Sequence, residues 1–248
     1  MTARQHDVTK CQLALMLLPE LTAVHDQFLS LSRIGRVHFS DSLGGKLLLR
    51  SGFDPEGIAV IVAASVAGAV SLCVAAAGEN LREGLRSGLI DFIVANLDEA
   101  LRILKNEIRR ARPISVGLSA DPEPTIAEMI DRGLQPDLLS AVLQHHAIIF
   151  VERGAIALPE RFSSNDEILT WTVAENPAQS LPRIARTAAE SLDPTREDTT
   201  ARRRWLEQSP RYLGRAFGPH QCLRMTEPEI AAFLPRLDSE IPAAKITR

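Results

Sequence analysis

Lys46-Leu-Leu-Leu-Arg-Ser-Gly-Phe-Asp-Pro-Glu-Gly57 runs into Ile58-Ala-Val-Ile-Val-Ala-Ala-Ser-Val-Ala-Gly68 and then into Ala69-Val-Ser-Leu-Cys-Val-Ala75, and the reading of this stretch decides the fold. The run Lys46–Arg50 follows Gly44-Gly45 and stops at a turn, Ser51–Gly57, so its length is that of a buried parallel strand. A helix-like segment extends to about Ala67, and Val70–Ala75 is a second β-type run. From Gly57 to Gly78 there are 22 residues without a charge, bounded by Glu56 and Glu79. That is long enough to cross a bilayer. It is rich in Ala, Gly and Ser, however, and no aromatic or basic belt frames it. The expectation is a buried helix leading directly into a buried strand.

Outward from this stretch the same alternation continues. Val8–Gly35 reads as a helix, with Leu17, Leu21, Val24, Phe28 and Leu31 at three- and four-residue steps. Asn80–Ser87 is a short polar helix closed by Gly88, and Ile90–Val94 is a third apolar segment. Asn96 caps an amphipathic helix that Pro113 ends, with early acids suited to the helix dipole. Ile114–Leu118 is the next strand, and Asp121-Pro122 opens a helix through Asp131, stopped by Gly133 and Pro136. Asp137–Ser140 and Ala147–Val151 are the last strand candidates. Strands alternating with helices of about ten residues imply an α/β fold, a parallel sheet with helices on both faces. After about Leu158 the chain changes character: prolines punctuate short helical pieces and no strand alternation stands out. Thr195–Arg224 holds seven arginines against three acids, which reads as a solvated helix face or as an anion or partner surface.

The remaining composition narrows the function classes. The chain has 248 residues, 45% apolar, 24% charged and 4% aromatic, with net charge −3. That excludes a disordered chain and a disulfide scaffold, and it lacks the footprint of a nucleic-acid binder. Cys11, Cys73 and Cys222 are widely spaced, and the apolar patch Leu13–Leu18 is too short for a signal-peptide core, so a cytoplasmic setting without a membrane anchor is expected. His145-His146, placed on a strand, would point to opposite faces and make a poor metal pair; no metal site is expected. In a doubly wound sheet the first turn carries glycines and a free helix N-terminus for a pyrophosphate, and the second strand ends in an acid for a ribose. Here the turn supplies only Gly52 and Gly57, Asp54 and Glu56 stand where a phosphate would approach, and the second strand ends in Ala75-Ala-Ala-Gly78 with Glu79 late.

The segment from about Phe28 to Leu139 resembles urocanase (urocanate hydratase), specifically its NAD-binding, Rossmann-like domain. The match is carried by His38-Phe39 with Leu43–Gly52, Ala67–Leu72, Arg86–Asp91, Asn96–Arg102, Pro113–Leu118 and Asp131–Leu138, in register without a gap. The resemblance implies a Rossmann-like domain over 37–158, with an N-terminal helical segment (1–36) and a mainly helical C-terminal region (159–248). It also implies NAD acting as an electrophile toward urocanate, a hydro-lyase reaction and a homodimer. Gly52, Gly57, Gly117 and Asp121 are the positions that would line the cofactor. The family's glycine-rich turn falls on Gly52–Val60 with only the first glycine in register, its ribose-binding acid falls on Ala75, and Asp121 replaces an amide. Losing charge-assisted ribose bonds costs roughly 1.5–3 kcal/mol each. The NAD site is therefore expected to be degenerate. His146 holds the place of a family histidine, and Phe217–Cys222 is similar to the run bearing a reactive cysteine, which makes His146 and Cys222 the catalytic candidates. The family's substrate-binding core has no counterpart in these residues. The expectation is a urocanase-like protein without a complete hydratase site that binds a small molecule or partner near Gly52–Gly57 and Asp121. A lyase completed by a partner subunit and a non-enzymatic interaction protein are the alternatives.

Overall fold

In the computed structural model, which describes residues 19–76, 80–159, 162–173, 176–213, 216–240 and 244–247, the apolar spacing of the first segment becomes helix α1 (Leu21–His38), burying Val24, Phe28 and Leu31. The earlier part of that expected helix, with Cys11, lies outside the described residues, as do Glu79 and Arg215. Strand β1 (Leu47–Ser51) leads to helix α2 (Pro55–Ala67). Asp54 caps α2, Pro55 stands in its first turn where a missing donor costs nothing, and Gly68 ends it at φ +93°, a left-handed conformation that glycine takes without strain. The turn feeds β2 (Val70–Ala75), so the uncharged run is one buried helix and one buried strand. No helix among the described residues is long and apolar enough to cross a membrane.

The chain continues through α3 (Leu81–Arg86), β3 (Phe92–Val94), α4 (Leu97–Arg110), β4 (Ile114–Ser119), α5 (Pro122–Asp131), β5 (Leu138–Ser140), α6 (Gln144–Glu152) and β6 (Ile156–Ala157). The expected caps form: the Asn96 side chain accepts from the Glu99 N–H at 2.9 Å, and Asp121 accepts from the Glu123 N–H at 3.2 Å. All six strands are parallel, in the order β3-β4-β2-β1-β5-β6, so the fold is the expected Rossmann-like α/β sheet. Alternation along β1 divides the core. Leu48 faces a cluster with α1 and α2, while Leu47 and Leu49 join Val70, Leu72 and Val116 beneath α4 and α5.

Two expectations need correction. Ala147–Val151 is not a strand but the body of α6, with His146 and Phe150 buried and Ile148 and Val151 exposed. The reason is topological: β5 and β6 are parallel neighbours, and a parallel return needs a crossover, which α6 supplies. The C-terminal region does contain strands. β7 (Glu167–Val173) pairs antiparallel with β8 (His220–Met225) and β9 (Ala244–Thr247), interleaved with α7 (Pro177–Glu190), α8 (Thr199–Leu213) and α9 (Glu227–Glu240). In β7, Leu169, Trp171 and Val173 are buried between threonines, an alternation present in the sequence. This second sheet shares one core cluster with α1 and α2.

The arginine-rich segment is divided: Arg203 and Arg211 are exposed, whereas three others are tied into ion pairs. Arg202 is fully buried and donates to Glu229 at 2.7 Å, Arg196 pairs with Asp166 and Asp198, and Arg224 holds Asp26 of α1 through two bonds of 2.6 and 2.8 Å. Beside them lies His25, fully buried, its ring edge-on to Trp205 at 4.9 Å and neither nitrogen hydrogen-bonded. Burial pushes its pKa below the ordinary imidazole value, against the weaker opposing pull of Asp26. The unfolded chain therefore takes up a proton below about pH 6.5 that the folded state refuses, so stability should decline as pH falls from there by up to ~1.4 kcal/mol per pH unit. Urea midpoints measured from about pH 7.5 down to about pH 5.5 should show this slope. His25→Phe, which keeps a ring and removes the titrating nitrogens, should reduce this slope and leave the share of His146, whose pKa is also lowered; an unchanged slope in the variant would mean that burial does not hold His25 neutral.

Candidate functional site

In an open parallel sheet, ligands bind at the carboxyl ends of the strands where the strand order reverses. Here the chain moves from β1 to β2 on one side and later crosses to β5 on the other, so the reversal lies between β1 and β5. The residues at this point are Arg50 and the Gly52–Asp54 turn after β1 and Ser140 at the end of β5. Arg50, the last basic residue of an otherwise apolar strand, is only 2% exposed. Its guanidinium donates to Ser140 Oγ at 2.9 Å and to both oxygens of Asp54, at 2.9 and 3.2 Å. Asp54 in turn accepts from the Gly57 N–H at 2.6 Å.

This arrangement places a carboxylate of the chain itself where a helix N-terminus would receive a phosphate. The amide is engaged, the nearest cation is paired, and an incoming anion meets Asp54. Gly57 is forced by contact: a Cβ there would lie 2.8 Å from the Gly52 carbonyl oxygen and 3.1 Å from Arg50 Nε. Gly52, at φ +84°, makes the sharp turn, and its carbonyl accepts from Cys73 Sγ at 3.3 Å. At the end of β2, Ala75 is fully buried and offers no acceptor for a ribose. The residues present do not fit a dinucleotide in a Rossmann pose: the Asp54 carboxylate holds the amide and the cation that a pyrophosphate would need and repels its charge.

The other candidates are dispersed. Gly117 lies mid-strand in β4 under α3, where a Cβ would meet Leu81 at 3.0 Å and Ile90 at 3.1 Å, so it serves close packing. Asp121 caps α5 at the same end of the sheet as the crevice. His146 sits in the first turn of α6, 6% exposed and 4.0 Å ring to ring from His145, with Nδ1 unpartnered. Burial, then His145, lowers its pKa, which favours the neutral imidazole; His145 is exposed and 3.8 Å from Glu123. The pair shares a helix rather than a strand. Cys222 requires correction as a reactive thiol. It is fully buried in β8 of the second sheet, burial and then Asp26 push its pKa well above the usual range, and Arg224 is occupied by Asp26. A thiol so placed is inert. Arg50 and Ser140 were missed by reasoning from sequence, although a charge closing an apolar strand was a visible signal for the first.

A family model, the urocanase Rossmann-like domain, matches residues 23–180. The match takes in α1 and β7 as well as the six-stranded sheet, and covers more than half of the chain. With its strand order, its first strand-turn-helix and this match in agreement, the chain belongs to the urocanase family through its Rossmann-like domain.

Proposed function

We propose that this chain is a urocanase-family protein that binds a small molecule or a partner at the carboxyl ends of its parallel strands and does not carry NAD in the family's manner. The family is associated with NAD binding. The observation that supports a departure is Asp54, which caps α2 and pairs with Arg50 in the place a pyrophosphate would take. What remains open to a ligand is the polar rim around it, where Asp121 and His145 are exposed. No hydration chemistry is assigned to Cys222, and among the described residues no carboxylate is hydrogen-bonded to His146.

Asp54→Ser tests the reading, because serine keeps a helix cap while removing the charge. Pyrophosphate should then meet Arg50 without its carboxylate partner. At roughly tenfold over its Kd it should raise the variant's Tm by about 3–6 °C and leave the wild type unmoved. NAD should leave the wild-type Tm unchanged. A variant indifferent to pyrophosphate would remove Asp54 from the anion seat. Stabilisation of the wild type by NAD, or loss of urocanate absorbance in the presence of NAD, would overturn the proposal in favour of a working lyase.

A further inference from the structure

A cavity of about 500 Å³ lies between α1, the segment leading into β7, and the turn that begins α8. Its volume is that of a small-molecule site. It shares no residue with the crevice between β1 and β5, so it goes beyond the function proposed above and does not rest on it. The wall from α1 is formed by Leu29, Ser32, Arg33 and Arg36, positions that fall on one helix face. Phe162 faces them from the β7 side.

The charges of this cavity are unequal in their commitments. Arg36 pairs with Glu197 at 2.6 Å, and Arg196 is held by Asp166 and Asp198. Among the described residues Arg33 has neither an ion pair nor a hydrogen bond, and it is exposed at the cavity wall. Ser32, beside it, has its Oγ withdrawn from solvent with no partner. A buried hydroxyl without a partner is uncommon in native proteins and marks a place for a ligand or water. Leu29 and Phe162 supply apolar surface, whereas Asp41, Glu197 and Asp198 also line the space and oppose a second negative charge.

We infer that this cavity binds a small organic monocarboxylate, its carboxylate on Arg33 and Ser32 and its apolar body against Leu29 and Phe162. The acids exclude a dianion such as phosphate, and the apolar wall requires a ligand with a body. Saturation-transfer NMR on the full chain tests this with three probes: benzoate, its neutral isostere benzamide, and inorganic phosphate as a competitor. Benzoate ring protons should receive saturation, benzamide should bind more weakly, and phosphate should not displace benzoate. Arg33→Gln should weaken benzoate by about tenfold, the loss of one charge-assisted contact. Arg33 is exposed and unpaired, so this variant keeps the fold. Ser163→Trp, at an exposed lining position, should block binding without touching a charge. Absence of transfer to benzoate, equal binding of benzamide, displacement by phosphate, or no change in either variant would each overturn the inference.

Discussion

Glu229→Ala is expected to destabilise the protein by about 3–5 kcal/mol, the cost of stranding a buried charge. Glu229 is 3% exposed and accepts three bonds: from Arg202 at 2.7 Å and from the Asp193 and Thr226 N–H groups, each at 2.8 Å. Removing it leaves the fully buried Arg202 with Asp198 as its remaining carboxylate and orphans two amides. Urea denaturation measures the loss. The double variant Arg202→Met with Glu229→Leu should be less destabilised than Glu229→Ala alone, because no unpaired charge then remains inside. A loss below about 1 kcal/mol for Glu229→Ala would show that water reaches this pair. The network also has an acid limit. Burial favours the protonated carboxyl, but the bonds from Arg202 and the two amides outweigh it and lower the Glu229 pKa. Its contribution is thus complete above the ordinary glutamate value of 4.5 and is lost as pH falls through the lower folded value.

Trp205→Ala should cost a similar amount, about 3–5 kcal/mol, through the cavity it leaves. The indole is fully buried on α8, packs against His25 and Phe28 of α1 with centroids 4.9 and 5.3 Å away, and donates its N–H to the Cys222 carbonyl at 2.7 Å. It joins the C-terminal sheet to the helix that covers the Rossmann-like sheet. Far-UV circular dichroism and the fluorescence of Trp171, the other tryptophan of the chain, should therefore report one coincident transition, shifted to lower denaturant. Two separated transitions would mean that the second sheet unfolds as an independent unit, in line with the division at 158/159 that the sequence invites. The shared core speaks for one unit.

Local chemistry explains which parts were legible. Asp54-Pro55, Asn96 and Asp121-Pro122 mark helix starts because a capping side chain bonds an amide two or three residues on. Gly68 and Gly88 mark ends because their positive φ is easy only for glycine. Even the degeneracy of the anion seat was readable, since Asp54 stands two residues after Gly52. What the chain does with Asp54 was not readable. Its partner Arg50 is anchored by Ser140, which is 90 residues away, and that pairing exists only once β5 lies beside β1.

Ala147–Val151 shows the limit from the other side. Its β-branched and aromatic residues suit a strand, but the crossover to β6 makes it a helix, a requirement set by sheet topology and invisible in the segment itself. Cys222 likewise sits in a run similar to a reactive one, and burial against α1 silences it. The sequence by itself determined the parallel sheet, the capped starts of α2, α4 and α5 and the loss of the glycine-rich turn, because each depends on residues a few positions apart. Only the tertiary structure decided that Asp54 closes on Arg50, that Arg202 is buried against Glu229, and that, among the described residues, Arg33 stands unpaired at a cavity wall. Those outcomes depend on which charges burial brings together, and burial is a property of the whole fold.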